Sequence, residues 1–94
     1  MAVTVYIPTP FRRATGNRDR VDVSAPDVGA LLDELEREHG GLKGLVRGES
    51  GEVHQHVAVY VNGEPIDGLG GLDTPLRDGD EVAIIPALAG GVWS

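Results

Sequence analysis

Cysteine is absent from this 94-residue chain, which removes disulfides, thiolate metal sites and cysteine nucleophiles together. Long apolar runs are missing too. No segment approaches the roughly 18 consecutive apolar residues of a membrane span, and Met1 to Ile7 carries no basic run ahead of an apolar stretch, as a secretory signal would. Positive charge is scarce: 8 basic against 15 acidic side chains give a net charge of -7. That balance argues against nucleic acid or an anionic membrane as the main partner, since both are bound by clustered Lys and Arg. Hydrophobic residues at 40% and charged residues at 24% describe a globular chain, the length allows one domain, and the expected location is the cytoplasm.

The main basic cluster is Arg12, Arg13, Arg18 and Arg20. It surrounds Thr15, Gly16 and Asn17 and reads as a solvated loop, with a docking patch for an anionic surface or ligand as the alternative.

Val3, Val5 and Ile7 alternate with Thr4 and Tyr6, the period of a half-buried strand over about residues 2–7, ended by Pro8 and Pro10. Val21 and Val23 alternate in the same way up to Pro26, so these segments form a hairpin with an unusually long connection. The period then changes. Val28, Leu31, Leu32 and Leu35 stand at i, i+3, i+4 and i+7, predicting an amphipathic helix over about 27–39. Asp27 is its N-cap, Asp33 and Arg37 are spaced as an i,i+4 pair, and Gly40-Gly41 stops it. The stretch from Leu42 to Glu52 is weakly patterned and reads as a loop, with Leu42, Leu45 and Val46 packing beneath the sheet or helix end. His56 to Val61 is a strong strand. Asn62-Gly63 follows as a type I′ turn, and Glu64-Pro65-Ile66 as a short return. Asp78-Gly79 marks another turn, and Glu81 to Ile85 is a last strand closed by Pro86, its continuous apolar run predicting a central position buried on more than one side. The order β, β, α, β, β, β is a two-layer α+β arrangement.

Catalytic signals are weak. None of Ser24, Ser50 and Ser94 sits in a G-x-S-x-G elbow. His54 and His56, with Glu52 at the same parity, make at most a metal half-site and read as surface residues. Asp80 and Glu81 point to opposite faces of a strand, which leaves them a role in solvating the turn. Gly68 to Gly71 lacks the spacing of a phosphate loop.

The C-terminus Pro86-Ala87-Leu88-Ala89-Gly90-Gly91-Val92-Trp93-Ser94 is more informative. Fourteen glycines make about two Gly-Gly pairs expected by composition, and three occur. The Gly90-Gly91 pair gains weight from its place on a thin tail beyond a terminal core strand. A backbone without bulk is what a carboxylate needs to enter another enzyme's active site, whereas flexible glycines also suit a frayed terminus.

The Val28-Gly29-Ala30-Leu31-Leu32 helix start, Val59-Tyr60-Val61-Asn62-Gly63, the run Leu76-Arg77-Asp78-Gly79-Asp80-Glu81-Val82-Ala83-Ile84-Ile85-Pro86 and the tail Ala89-Gly90-Gly91 together resemble the ubiquitin-like sulfur-carrier family (ThiS/MoaD-like) over nearly the whole chain. That family comprises thiamine sulfur carriers and the small subunit of molybdopterin synthase. The resemblance implies a β-grasp fold, a mixed sheet with one main helix across one face and the first and last strands parallel at its centre. It also implies a carrier rather than an enzyme, with no bound cofactor. A ubiquitin-activating-type adenylyltransferase uses ATP to adenylate the terminal carboxylate, a sulfur donor converts it to a thiocarboxylate, and an acceptor enzyme receives the sulfur. Carried onto this chain, Gly91 bears the thiocarboxylate and Gly90, with Ala89 before it, keeps the approach narrow.

The chain departs from the family pattern by continuing through Val92-Trp93-Ser94, which locks Gly91 in a peptide bond. The resemblance to extended family members implies cleavage between Gly91 and Val92 by a JAMM-type zinc metalloprotease. Residues 1–91 are then the carrier domain with a tail at 87–91, and 92–94 a removable extension. Trp93 as an anchor for a partner is the competing reading of the extension. The ending Ile84 to Gly91 resembles carriers that pair with a cysteine-synthase-type acceptor more than molybdopterin synthase subunits, and thiazole synthase stays open as the acceptor. The alternative function is a protein modifier forming isopeptide bonds through Gly91.

Overall fold

The computed structural model describes residues 2–55 and 57–86. Five strands, β1 (Val3–Tyr6), β2 (Arg20–Val23), β3 (Val57–Val61), β4 (Glu64–Pro65) and β5 (Glu81–Pro86), form one sheet in the order β2-β1-β5-β3-β4. β1 and β5 pair in parallel, and the other neighbours are antiparallel. Helix α1 (Val28–Glu38) lies across one face. The architecture is the mixed-sheet β-grasp expected from the resemblance.

Strand alternation accounts for the core. Val3, Val5, Val21, Val23, Val59, Val61, Val82 and Ile84 all point to one face and are buried. Val28, Leu31, Leu32 and Leu35 of α1 close over them, each at most 1% exposed. β5 is central, as its apolar run predicts, but it is buried on one face only. Ala83 and Ile85 project from the other, and Ile85 is 45% exposed.

Asp27 caps α1 through a 2.8 Å hydrogen bond accepted from the Ala30 N–H, satisfying one of the free amides of the first turn. The C-terminus differs from expectation. Gly40 and Gly41 do not take the left-handed conformation; the chain passes through His39 into a 3-10 turn at Gly40–Leu42. The lack of a side chain at Gly41 serves packing, because a Cβ there would stand 3.0 Å from that of Ala14. Arg37 pairs with Glu34, one turn back at i,i+3, rather than with Asp33. Asp33 and Glu36 instead face Arg47. Its Nε and Nη2 meet the two Glu36 carboxylate oxygens at 2.9 and 3.0 Å, and Nη2 is 2.6 Å from Asp33.

With its side chain only 12% exposed, Arg47 fastens the 42–55 segment to α1 through a fork that matches carboxylate geometry. Leu42 and Val46 of that segment are buried, but Leu45 is 41% exposed and does not join the core. The long β1–β2 connection is likewise ordered. It forms a 3-10 turn at Thr9–Thr15, and buried Thr15 places its hydroxyl 3.1 and 2.9 Å from the Arg12 and Arg18 carbonyl oxygens.

Asn62 and Gly63 take φ of 51° and 86°, the two positive values that a type I′ turn demands. Asp80 does more than solvate the neighbouring turn. Its carboxylate accepts hydrogen bonds from the Arg77 N–H at 2.8 Å and from Asn62 Nδ2 at 3.1 Å. The Asn62 bond, followed by the Arg77 bond, holds its pKa below the ordinary 3.8. A carboxylate with a depressed folded-state pKa stabilises the fold at all pH values above its unfolded value. That contribution disappears as pH falls through the folded value, below 3.8. Asp80→Asn should therefore be less stable than the native chain at pH 7, the gap shrinking to nothing in acid. Urea titrations of both chains at pH 7 and below pH 3 check this, and a gap that widens in acid would contradict it.

Candidate functional site

The residues assigned to the carrier tail, Ala89, Gly90 and Gly91, and the cleavage position at Val92 lie outside the described residues, as do Trp93 and Ser94. The described structure supplies the stem that presents them. β5 runs between β1 and β3 and ends at Pro86, opposite Val57 of β3. Covalent geometry then bounds the tail: Gly91 is five residues on, so its Cα lies within about 18 Å of that of Pro86.

Two surfaces converge on this stem. The first is the sheet face opposite α1. Register places Tyr6 of β1 and Tyr60 of β3 on either side of Ala83 of β5, so the small alanine leaves a shallow space between two half-buried tyrosines. Ile85, beside Ala58, continues this apolar row towards Pro86. An apolar strip flanked by phenols suits protein contact, since tyrosine combines a large apolar area with a hydroxyl that stays hydrated or finds a partner.

The second is a cleft of about 280 Å³ at the end of β5, lined by Tyr6, Pro8, Arg12, Asp19, Ile85 and Pro86 among others. Arg12, one of the lining residues, is fixed there by a 3.1 Å hydrogen bond from its Nε to the Ile7 carbonyl. The tyrosine row and the cleft are features the sequence reading missed. Their signal was the alternation that buries Val5, Ile7, Val59 and Val61 and thereby turns Tyr6 and Tyr60 to the other side.

The other candidates do not assemble. The ring Nε2 of His54 is 2.8 Å from the Gly44 carbonyl oxygen, which ties the histidine to the neighbouring loop, and His56 lies outside the described residues. Ser24 and Ser50 are exposed, and no group of three or more His, Asp or Glu side chains with metal-binding geometry occurs among the described residues. No described helix is long and apolar enough to cross a membrane.

Comparison with known proteins agrees with this arrangement. The ThiS family model matches residues 5–91. The sulfur carrier protein CysO of Mycobacterium tuberculosis (strain ATCC 25618 / H37Rv) is 42% identical over 93 residues, covering 97% of this chain and 100% of the relative. The small archaeal modifier protein 3 of Haloferax volcanii is 44% identical over 84 residues, covering 86% of this chain and 89% of the relative. Among solved structures, a chain from the Amycolatopsis orientalis BexX/CysO complex superposes with a TM-score of 0.88 at 40% identity, covering 96% of this chain and 100% of that one.

Proposed function

The chain belongs to the ThiS family, and on that premise we propose that it is a sulfur carrier whose sulfur travels as a thiocarboxylate on Gly91, delivered to cysteine biosynthesis. The observation that carries this reading is the full-length similarity to the sulfur carrier protein CysO. The central strand, ending five residues short of Gly91, supports it.

The chemistry asks little of the carrier and much of its partners. Hydrolysis of the Gly91–Val92 peptide bond by a JAMM-type metalloprotease frees the carboxylate. The family match closes at Gly91, in keeping with a carrier domain of residues 1–91 and an extension at 92–94. A ubiquitin-activating-type adenylyltransferase then joins that carboxylate to the α-phosphate of ATP with loss of pyrophosphate. A sulfide-level donor displaces AMP and leaves sulfur in place of one oxygen. In a cysteine-synthase-type acceptor the thiocarboxylate sulfur bonds to the acceptor's electrophilic substrate, and hydrolysis of the resulting acyl bond, with the oxygen coming from water, releases the sulfur product and returns the carboxylate. Each step occurs in a partner's active site, so the chain acts as a carried substrate and not as a catalyst. The Tyr6–Ala83–Tyr60 row, continued by Ile85, gives those partners an apolar surface beside the stem of the tail, and the cytoplasm is the compartment where ATP and reduced sulfur are both available to them.

The likeness to an archaeal modifier protein favours one second reading, in which activated Gly91 is transferred to lysine side chains. Mass spectrometry separates the two. Incubated with the activating enzyme, ATP and sulfide, the mature chain ending at Gly91 should exchange one terminal oxygen for sulfur. Stable adducts on lysines without that exchange would replace the carrier by the modifier.

A further inference from the structure

Residues 12–20 contain four of the chain's eight basic side chains and one acidic one, leaving four basic and fourteen acidic side chains to the rest. The charge is thus segregated as well as negative. The cationic stretch is held in place: Thr15 is buried and bonded to both the Arg12 and Arg18 carbonyls, and the chain bond from Ile7 N–H to the Asp19 carbonyl, 2.8 Å, closes its base. Arg13, Arg18 and Arg20 are exposed. Ion pairs among the described residues are made by Arg37 and Arg47, and none by these three. Arg12 lines the cleft that Pro86 also lines, so the cationic stretch sits at the end of the sheet from which the tail departs. Its nearest acidic neighbours, Asp19 and Asp22, only partly offset it.

Resting on the carrier reading, we infer that Arg13, Arg18 and Arg20, with Arg12 at the base of the cleft, form the electrostatic docking surface for the activating enzyme, whose channel mouth for the tail is acidic. A partner of that charge is attracted to this stretch, whose four basic and one acidic side chains net +3, and repelled by the rest, whose four basic and fourteen acidic side chains net -10. It therefore meets the carrier tail first, which raises the productive fraction of encounters and the association rate. A broad acidic protein surface fits the observations better than a single small anion, since these guanidinium groups are spread over exposed surface and do not converge in a buried pocket. Nucleic acid is disfavoured by the overall charge.

The test compares native mature chain with Arg13→Glu/Arg18→Glu/Arg20→Glu and with the charge-preserving Lys triple variant. Association with the activating enzyme is followed by stopped flow across a salt series, and thiocarboxylate formation is read at completion by mass. The Glu variant should associate at least about tenfold more slowly at low salt. That deficit should close towards 1 M salt, where the Debye length falls to about 3 Å. The Lys variant should stay close to native, and all three chains should keep native melting curves and full final loading. A Glu variant that associates at the native rate while still forming thiocarboxylate overturns this docking surface and leaves the carrier reading intact. No thiocarboxylate on the native chain itself overturns the carrier reading, and this inference with it.

Discussion

In a full-length chain carrying Gly91→Val, residues Val92–Ser94 should remain attached and thiocarboxylate formation should fall by at least about a hundredfold, while the melting curve is unchanged. The reason is local to the reacting carbon. Residue 91 contributes the carbonyl that is cut, adenylated and sulfurated in turn, and a β-branched side chain on the adjacent Cα both restricts the backbone and places methyl groups where each partner must approach. Misplacement of a reacting group by about 1 Å is enough for losses of that order. The substitution changes none of the described core residues, which run from Val3 to Ile84, so stability should change by less than about 0.5 kcal/mol. A second chain, carrying the same Gly91→Val substitution but lacking Val92–Ser94 from the outset, separates the two blocks: it needs no protease, and it should still fail to accept sulfur. Loading of either variant within a few-fold of native would end the assignment of Gly91.

Leu32→Ala should cost about 3 kcal/mol, within the range for emptying a closed aliphatic site. Leu32 is fully buried between α1 and the sheet, and the removed atoms leave a cavity that a helix pinned at both ends does not readily fill. One end is capped by Asp27, and further along Glu36 is gripped by Arg47. Against a total stability of roughly 5–15 kcal/mol for a domain of this class, that is a large fraction. The midpoint should drop by roughly 12–24 °C. Leu45→Ala is the matched control: with Leu45 41% exposed, its loss should stay within about 0.5 kcal/mol. Urea midpoints of the two variants check the contrast, and equal losses would mean that the 42–55 segment packs differently.

That contrast also marks how far the residues alone could be read. Period two and period 3.6 are written along β1, β2, β3, β5 and α1, because each of these elements has one dry face, and the resulting stripes survive without knowledge of partners. Leu42, Leu45 and Val46 are spaced i, i+3 and i+4, but in a glycine-rich stretch that carries the stripe no further, so three equivalent-looking residues divide only when Arg47 fixes the path of the segment. The partners of Arg47 lie 14 and 11 residues away at Asp33 and Glu36, and a spacing rule for neighbours on one helix sees only Arg37. At the candidate site, Gly91 is proposed through the resemblance of the whole chain to the carrier family, since a glycine tail after a core strand equally suits a frayed terminus. The Tyr6–Ala83–Tyr60 row is not legible, since Tyr6 and Tyr60 are brought together by the register of two strands on a third.

The parallel pairing of β1 with β5 has a bearing on how the protein is made. Thr4 is matched with Glu81 and Tyr6 with Ala83, so the centre of the sheet joins β1 to a strand 77 positions further along the chain (81 minus 4). Contacts of such sequence separation slow folding. They also deny the nascent chain its middle strand until Glu81–Pro86 has emerged from the ribosome. Partial products of translation therefore lack both the platform on which partners would land and the terminus they would act upon. Synthesis through β5 becomes a built-in licence, because the sheet that presents the tail closes only once the strand leading into that tail has been made.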